Sequence, residues 1–109
     1  MYEYMANIVS VHDADTITVD VDLGFHVHFT IPLRLYGINA PELSTPEGKA
    51  ARDWLQAQLP TGYPVRIETI KDRKEKYGRY LAVIFDGQRN FNDELVANNM
   101  ATVYYGGAR

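Results

Sequence analysis

The 109-residue sequence contains no cysteine, which excludes disulfide bonds, thiolate nucleophiles and zinc sites built from thiolates. It also has no apolar run near the roughly 20 residues that a membrane-spanning helix needs, so we expect no membrane span. The signs of disorder are absent too, because 46% of the residues are hydrophobic and the formal net charge is only −3. What remains is one globular domain covering residues 1–109. The first five residues lack the apolar stretch of a secretory signal, which favours a cytoplasmic location.

Positive charge is scarce overall but concentrated in one segment. The chain has 11 Lys and Arg residues against 14 Asp and Glu residues. Between Arg66 and Arg79 there are six basic and three acidic residues, so this segment carries +3 and the rest of the chain carries −6. Such a basic segment is compatible with an anionic ligand held at one place, although a solvated charged loop is the commoner explanation of a charge run.

Alternating apolar and polar residues predict the strands. The alternation covers residues 16–23 and resumes over residues 25–35, which indicates two antiparallel strands with one buried face, joined by a turn at residues 22–25. A strand at residues 7–11 is expected before them, and shorter alternating stretches near residues 65–68 and 81–85 predict two more.

Two helices interrupt this β pattern. Thr45 and Pro46 form a typical helix start, and Pro60 ends that helix. A second helix is predicted with its cap at Asn92. The order β-β-β-α-β-β-α predicts a mainly β (α+β) domain, a five-stranded barrel of the oligonucleotide-binding (OB) type with two helices.

The first group of residues that could carry chemistry is Asp13-Ala14-Asp15-Thr16, between the first two strands. It lacks the third oxygen ligand and the glycine of an EF-hand calcium loop. Taken alone, this tetrapeptide is more often a turn than a metal site.

The second group follows the long strand. Arg34 lies near its end, and Gly37 and Pro41 turn the chain so that Asn39 and Glu42 come close to it. An arginine beside an amide and a carboxylate is the composition of a phosphate and metal site. The alternative is an exposed Arg34–Glu42 salt bridge worth at most about 1 kcal/mol.

The third group is Lys76-Tyr77-Gly78-Arg79, which lies in the basic segment before the last predicted strand. Tyr77 offers a face for stacking on a base, and the cations could follow a phosphate backbone. As a lone tetrapeptide it is weak evidence.

In combination the three groups are more specific. D-A-D-T, R-L-Y-G-I-N-A-P-E and K-Y-G-R, in this order within five predicted strands, resemble the staphylococcal (micrococcal) nuclease family over about residues 6–105. The resemblance implies an OB-type barrel that hydrolyses phosphodiester bonds in DNA or RNA with Ca²⁺. It also implies little sequence specificity and products that carry a 3′-phosphate.

The resemblance also implies a set of metal ligands. Asp15 and Asn39 match two ligand positions, and the backbone carbonyl of Ala40 matches a third. The family has a carboxylate where this chain has Asn39. The amide oxygen can still bind a cation, but one negative charge is lost, so we expect weaker Ca²⁺ binding.

Catalytic and substrate-binding roles are implied in the same way. Glu42 matches the general base or water-orienting carboxylate, and Arg34 and Arg79 match the residues that hold the scissile phosphate. Further positions match residues that touch the nucleotide, namely Lys76, Tyr77 and Tyr105.

Three functions compete at this point. The first is a Ca²⁺-dependent nuclease that acts on single-stranded DNA or RNA. The second is a non-catalytic module of the same fold that binds nucleic acid or protein, and the third is a purely structural barrel. The presence of Glu42 and both arginines favours the enzyme, and only Asn39 favours the binding module. The sequence leaves the oligomeric state open between a monomer and a weak dimer.

Overall fold

A computed structural model describes the backbone of residues 2–74 and 79–104 and the side chains of residues 2–70 and 79–104. Within this part, the helices are α1 (Pro46–Gln58) and α2 (Phe91–Ala97). The strands are β1 (Tyr2–Asp13), β2 (Thr16–Asp22), β3 (His28–Leu35), β4 (Ile38–Asn39), β5 (Pro64–Lys74), β6 (Tyr80–Asp86), β7 (Arg89–Asn90) and β8 (Thr102–Val103). Neither described helix has the length and apolar character needed to cross a membrane.

The long strands of the described chain close a barrel. They pair in the order β3-β2-β1-β5-β6, with the short β7 beyond β6. Strand β3 then pairs in parallel with β6, from Leu33 opposite Tyr80 to Leu35 opposite Ala82. This closure confirms the predicted mainly β, five-stranded OB-type barrel with two helices. Strands β4 and β8 form a separate small ladder.

The barrel interior is filled by the apolar side of the alternating pattern. Ile17 and Val19 of β2 and Leu33 of β3 are almost completely buried. Helix α1 contributes buried Leu55, and α2 contributes buried Phe91. Because both helices place apolar side chains in the same core cluster, they cover the barrel rather than extending from it.

The hairpin between β2 and β3 differs from the prediction. Strand β3 begins at His28, not at residue 25, and the turn lies at residues 23–27. Gly24, Phe25 and His26 have φ angles of 81°, 54° and 62°, which belong to the left-handed region and end the strand geometry. The alternating apolar and polar pattern therefore extends into residues 25–27, which belong to the turn and not to β3.

The cap of α2 also differs from the prediction. The side chain of Asn90, not that of Asn92, accepts the backbone N–H of Asp93 at 3.0 Å. Asn92 is buried instead. Its amide nitrogen donates to the carbonyls of Tyr36 at 2.8 Å and Ala82 at 3.1 Å, and so ties α2 to the barrel.

Candidate active site

Asp15 is the centre of a polar cluster at the turn between β1 and β2. Asp15 is buried, with only 6% of its surface exposed. Its Oδ2 accepts a hydrogen bond from the backbone N–H of Ala40 at 2.8 Å, and its backbone carbonyl accepts one from Leu35 at 2.8 Å. The carboxylate of Asp13 accepts the N–H of Asp15 at 3.1 Å. These bonds hold the turn against the segment that contains Asn39 and Ala40.

Arg34 lies in the same cluster. It is 4% exposed, and the β2–β3 register places it opposite Thr16. Its Nη2 lies 3.6 Å from Asp15 Oδ2, and its Nη1 donates to the carbonyl of Leu35 at 2.9 Å. The alternative of an exposed Arg34–Glu42 salt bridge is therefore wrong, because Arg34 is buried and forms its ion pair with Asp15.

Arg79 reaches the cluster from the residue before β6. Its Nη1 donates to Thr16 Oγ1 at 2.8 Å, and that hydroxyl lies 3.3 Å from Asp15 Oδ1, to which it donates. Thr16 thus links the second arginine to the carboxylate that pairs with Arg34. Thr16 belongs to the first motif, but the sequence alone assigned it no role. Its partner Arg79 lies 63 positions away in the chain, so the contact could not be predicted from the motif alone.

Glu42 is exposed on the loop between β4 and α1. The loop is held through its main chain, because the Glu42 carbonyl accepts hydrogen bonds from the backbone N–H and the hydroxyl of Thr45 at 2.9 and 2.6 Å. The Thr45 hydroxyl in turn accepts the N–H of Gly48 and caps α1, as predicted. The carboxylate of Glu42 is left facing solvent on a fixed backbone.

Gly48 leaves no room for a side chain where α1 meets this loop. A Cβ at Gly48 would lie 2.0 Å from the carbonyl oxygen of Glu42 and 2.8 Å from that of Pro41. Both are backbone atoms, so a side chain would have to displace the loop that carries Glu42.

We expect Gly48→Ala to lower the free energy of unfolding by about 1–3 kcal/mol, as overpacking usually does. At a helical position with room for a side chain, the same Gly→Ala change would instead raise the free energy of unfolding by up to about 1 kcal/mol. Urea unfolding measures the difference. Lys49→Ala, at an exposed position of α1, is the control and should stay within about 0.5 kcal/mol of the parent. A Gly48→Ala variant as stable as the parent would show that the loop carrying Pro41 and Glu42 can move away from α1 without a loss of stability.

The oxygen atoms that the cluster offers to a cation, the Asp15 carboxylate and the Thr16 hydroxyl, are hard ligands of the kind that Ca²⁺ prefers. Asn39 and Ala40 adjoin the Asp15 carboxylate through the Ala40 N–H bond. Burial and the neighbouring Asp15 carboxylate raise the pKa of Asp13 to about 6. No group of three or more His, Asp or Glu side chains in the described residues forms a metal site by itself. A cation here would therefore need amide and carbonyl oxygens as well as carboxylate.

The structure brings Asp15, Arg34 and Arg79 into one cluster, and Ala40 touches it through its backbone. Glu42 follows on the adjoining loop. The predicted nucleotide-contacting residues Lys76, Tyr77 and Tyr105 lie outside the described residues.

Comparison with known proteins gives a consistent result. The family model for staphylococcal nuclease homologues matches residues 32–108. A thermonuclease of Staphylococcus hyicus is 35% identical over 105 residues, which cover 91% of this chain and 59% of that protein. A thermonuclease of Staphylococcus intermedius is 36% identical over 95 residues, covering 82% of this chain and 53% of that protein. Endonuclease YhcR of Bacillus subtilis is 33% identical over 115 residues, covering 94% of this chain and 9% of that protein.

The chain thus spans little more than half the length of the two thermonucleases and a small part of the endonuclease. Three findings agree: the similarity to a thermonuclease over 91% of this chain, the match of the family model and the closed five-stranded barrel. The chain belongs to the family of staphylococcal nuclease homologues.

Proposed function

We propose that this chain is a nuclease that hydrolyses phosphodiester bonds with Ca²⁺. The observation that carries the proposal is the cluster in which two arginines, Arg34 and Arg79, are joined to the Asp15–Thr16 turn. The names of the relatives, two thermonucleases and an endonuclease, support the same reaction class. Catalysis at phosphorus is favoured by positive charge that is fixed before the reaction, and this cluster supplies it from Arg34 in β3 and from Arg79, the residue before β6.

The arginines bind and stabilise the reacting phosphate in this proposal. Attack on a phosphodiester builds negative charge on the equatorial oxygens, and preorganised guanidinium groups stabilise that charge. A guanidinium can donate two parallel hydrogen bonds to a phosphate. Arg34 and Arg79 are each already oriented by a hydrogen bond to the barrel, to Leu35 and Thr16 respectively. These bonds fix the direction of each guanidinium group before a substrate binds.

Glu42 is the general base or water-orienting group. Its exposed carboxylate is accessible to water and is carried on a loop fixed by Thr45 and Gly48. A carboxylate in this position can accept a proton from the attacking water, a function that typically contributes about 10²–10⁴-fold to the rate.

Asp15, the amide of Asn39 and the carbonyl of Ala40 would hold Ca²⁺. The bound cation would supply further positive charge beside the phosphate oxygens. Asp15 is positioned for this by its bond from Ala40 N–H, which keeps the carboxylate next to the Asn39–Ala40 backbone.

Single-stranded DNA or RNA is the proposed substrate, with little sequence specificity and products that carry a 3′-phosphate. The proposed contacts go to phosphates, which carry no sequence information. The positive residues between Arg66 and Arg79 are the part of an otherwise acidic chain that would attract a polyanion.

The test is cleavage of end-labelled single-stranded DNA and RNA with millimolar Ca²⁺ and with a chelator. We expect cleavage with Ca²⁺ only, at many positions, and products whose mobility changes when a phosphatase removes a 3′-phosphate. Binding without cleavage under every metal condition would favour the non-catalytic module of the same fold.

Asn39→Asp should tighten Ca²⁺ binding at least about tenfold, because it adds a negative charge next to the cation. Calorimetric titration with Ca²⁺ measures this directly and needs no substrate. The matched control is Asn99→Asp, which adds the same charge at an exposed position after α2 and should leave Ca²⁺ affinity unchanged. Equal affinity in both variants and the parent would remove Asn39 from the proposed ligand set.

A further inference from the structure

Thr16 lies at the centre of the polar cluster, but the proposed hydrolysis gives it no part. It is the first residue of β2 and is paired on both sides, with Asp13 of β1 and with Arg34 of β3. It is buried, with 7% of its surface exposed. Because two neighbouring strands hold its backbone, the position of its hydroxyl group is set by the barrel itself.

The hydroxyl of Thr16 both accepts and donates a hydrogen bond in this cluster. A guanidinium group can only donate, so Thr16 Oγ1 accepts the bond from Arg79 Nη1 at 2.8 Å. The single hydroxyl hydrogen is then available for Asp15 Oδ1 at 3.3 Å. Hydrogen bonds in such a chain polarise one another, so donation to the carboxylate makes Oγ1 a better acceptor for Arg79.

The two arginines of the cluster are held in different ways. Arg34 lies within β3 and is 4% exposed. Arg79 is half-buried and precedes β6, whose parallel pairing with β3 begins one residue later at Tyr80. Arg79 is therefore the arginine more open to an incoming phosphate. The bond to Thr16 fixes its Nη1 on the first residue of a central strand.

The Thr16 hydroxyl is better placed to orient Arg79 than to bind a cation. Its oxygen is a hard ligand, but the bond from Arg79 already occupies one of its lone pairs. A cation bound to the same oxygen would lie beside a guanidinium group, and two positive charges at that distance repel each other. The Asp15 carboxylate offers a cation a negative charge that Thr16 does not.

We propose that Thr16 is a positioning residue that orients the guanidinium group of Arg79 toward the scissile phosphate. This rests on the proposed nuclease function and adds to it a residue that contacts neither the phosphate nor Ca²⁺. A guanidinium group that is held in place before the reaction stabilises the developing charge better than one that must be ordered during it. Threonine suits this task because its β-branched side chain is stiff about χ1.

Thr16→Val tests the proposal, because it removes the hydroxyl and keeps the shape of the side chain. The single-turnover rate of cleavage of single-stranded DNA, at saturating protein and Ca²⁺, should fall about tenfold to a hundredfold. DNA binding with a chelator present should stay within about threefold of the parent, because a strand is held at several phosphates and Arg79 keeps its charge. Thr16→Ser keeps the hydroxyl and should restore most of the rate.

Thr18→Val is the matched control. Thr18 is half-buried and lies two positions along the same face of β2, so the same change there should leave the rate unchanged. In an Arg79→Met background, Thr16→Val should change the rate far less than in the parent, since the side chain that it orients is gone. Thermal unfolding checks that each variant is folded at the assay temperature.

Two further measurements need no cleavage. A guanidinium group held by hydrogen bonds rotates slowly and gives separate Nη signals in ¹⁵N NMR spectra. The signals of Arg79, assigned by their absence in Arg79→Met, should merge in Thr16→Val and stay separate in Thr16→Ser. Ca²⁺ affinity, measured by calorimetry, should fall far less than the rate in Thr16→Val, because Asp15 Oδ2 keeps its bond from Ala40.

The outcomes separate this proposal from the nuclease function. An unchanged rate or unchanged Arg79 signals in Thr16→Val would overturn it, as would an equal loss of rate with and without Arg79. A fall in Ca²⁺ affinity as large as the fall in rate would make Thr16 a cation ligand and also overturn it. A parent that cleaves nothing would contradict the nuclease function, and the Arg79 signals would then decide whether Thr16 orients that side chain.

Discussion

Glu42→Gln should lower kcat for the cleavage of single-stranded DNA by about 10²–10⁴-fold, the usual contribution of a general base. Glutamine has the same shape but cannot accept a proton at neutral pH. The fold should be unaffected, because the hydrogen bonds that fix this loop go to the main-chain carbonyl of Glu42 and not to its side chain. Single-turnover cleavage with Ca²⁺ isolates the chemical step, and thermal unfolding checks the fold.

Glu47→Gln is the matched control. Glu47 is also an exposed glutamate and lies only five positions away, in the first turn of α1. Its removal changes the net charge equally and should leave kcat unchanged. DNA binding by Glu42→Gln should equal that of the parent, so that the loss lies in kcat rather than in affinity. Equal kcat values for both variants and the parent would assign the base to another group.

The barrel could be predicted from the sequence because burial of one strand face imposes a period of two. Ile17, Val19 and Val21 follow that period and are buried as expected. The turn after β2 was predicted, but not its far end, because Phe25 and His26 continue the alternation and neither residue type signals a left-handed backbone. Periodicity reports which residues could share a face, but it does not locate the residue at which a strand ends.

The members of the site were predictable individually, but their contacts were not. Arg34 was identified, yet proximity along the chain suggested Glu42 as its partner. Its actual partner is Asp15, because the β2–β3 register places Arg34 opposite Thr16. The link from Arg79 to Thr16 likewise depends on how the barrel closes. Such contacts are set by strand register, a non-local property that local motifs do not contain.

The role of Asn92 shows the same limit. An asparagine followed by two acidic residues has the composition of a helix cap, but the chain offers a second asparagine two positions earlier. Asn90 takes the cap, and Asn92 is drawn into the barrel wall, where it satisfies the carbonyls of Tyr36 and Ala82. The choice depends on the carbonyls of Tyr36 and Ala82, which lie 56 and 10 positions from Asn92, so it is a tertiary contact that the local sequence does not contain.

Removal of Arg34 should cause the largest loss of stability. In Arg34→Met the buried Asp15 carboxylate loses its ion-pair partner, and breaking a buried pair from one side costs about 3–5 kcal/mol. Arg52→Met is the control, because the Arg52–Asp53 pair is far more exposed and such pairs are worth about 1 kcal/mol or less. Urea unfolding without Ca²⁺ measures both variants.

The double variant Asp15→Asn/Arg34→Met separates charge from packing. If the cost of Arg34→Met comes from an uncompensated buried carboxylate, neutralising Asp15 in the same chain should recover part of it, so the double variant should be more stable than Arg34→Met alone. The alternative source of the cost of Arg34→Met is lost packing together with the lost hydrogen bond to Leu35. In that case Asp15→Asn should destabilise the double variant further, because the neutral side chain accepts a weaker hydrogen bond from the N–H of Ala40. Recovery would mean that Arg34, the arginine proposed to bind phosphate, also stabilises the fold by compensating the Asp15 charge, so that stability and the proposed activity depend on the same guanidinium.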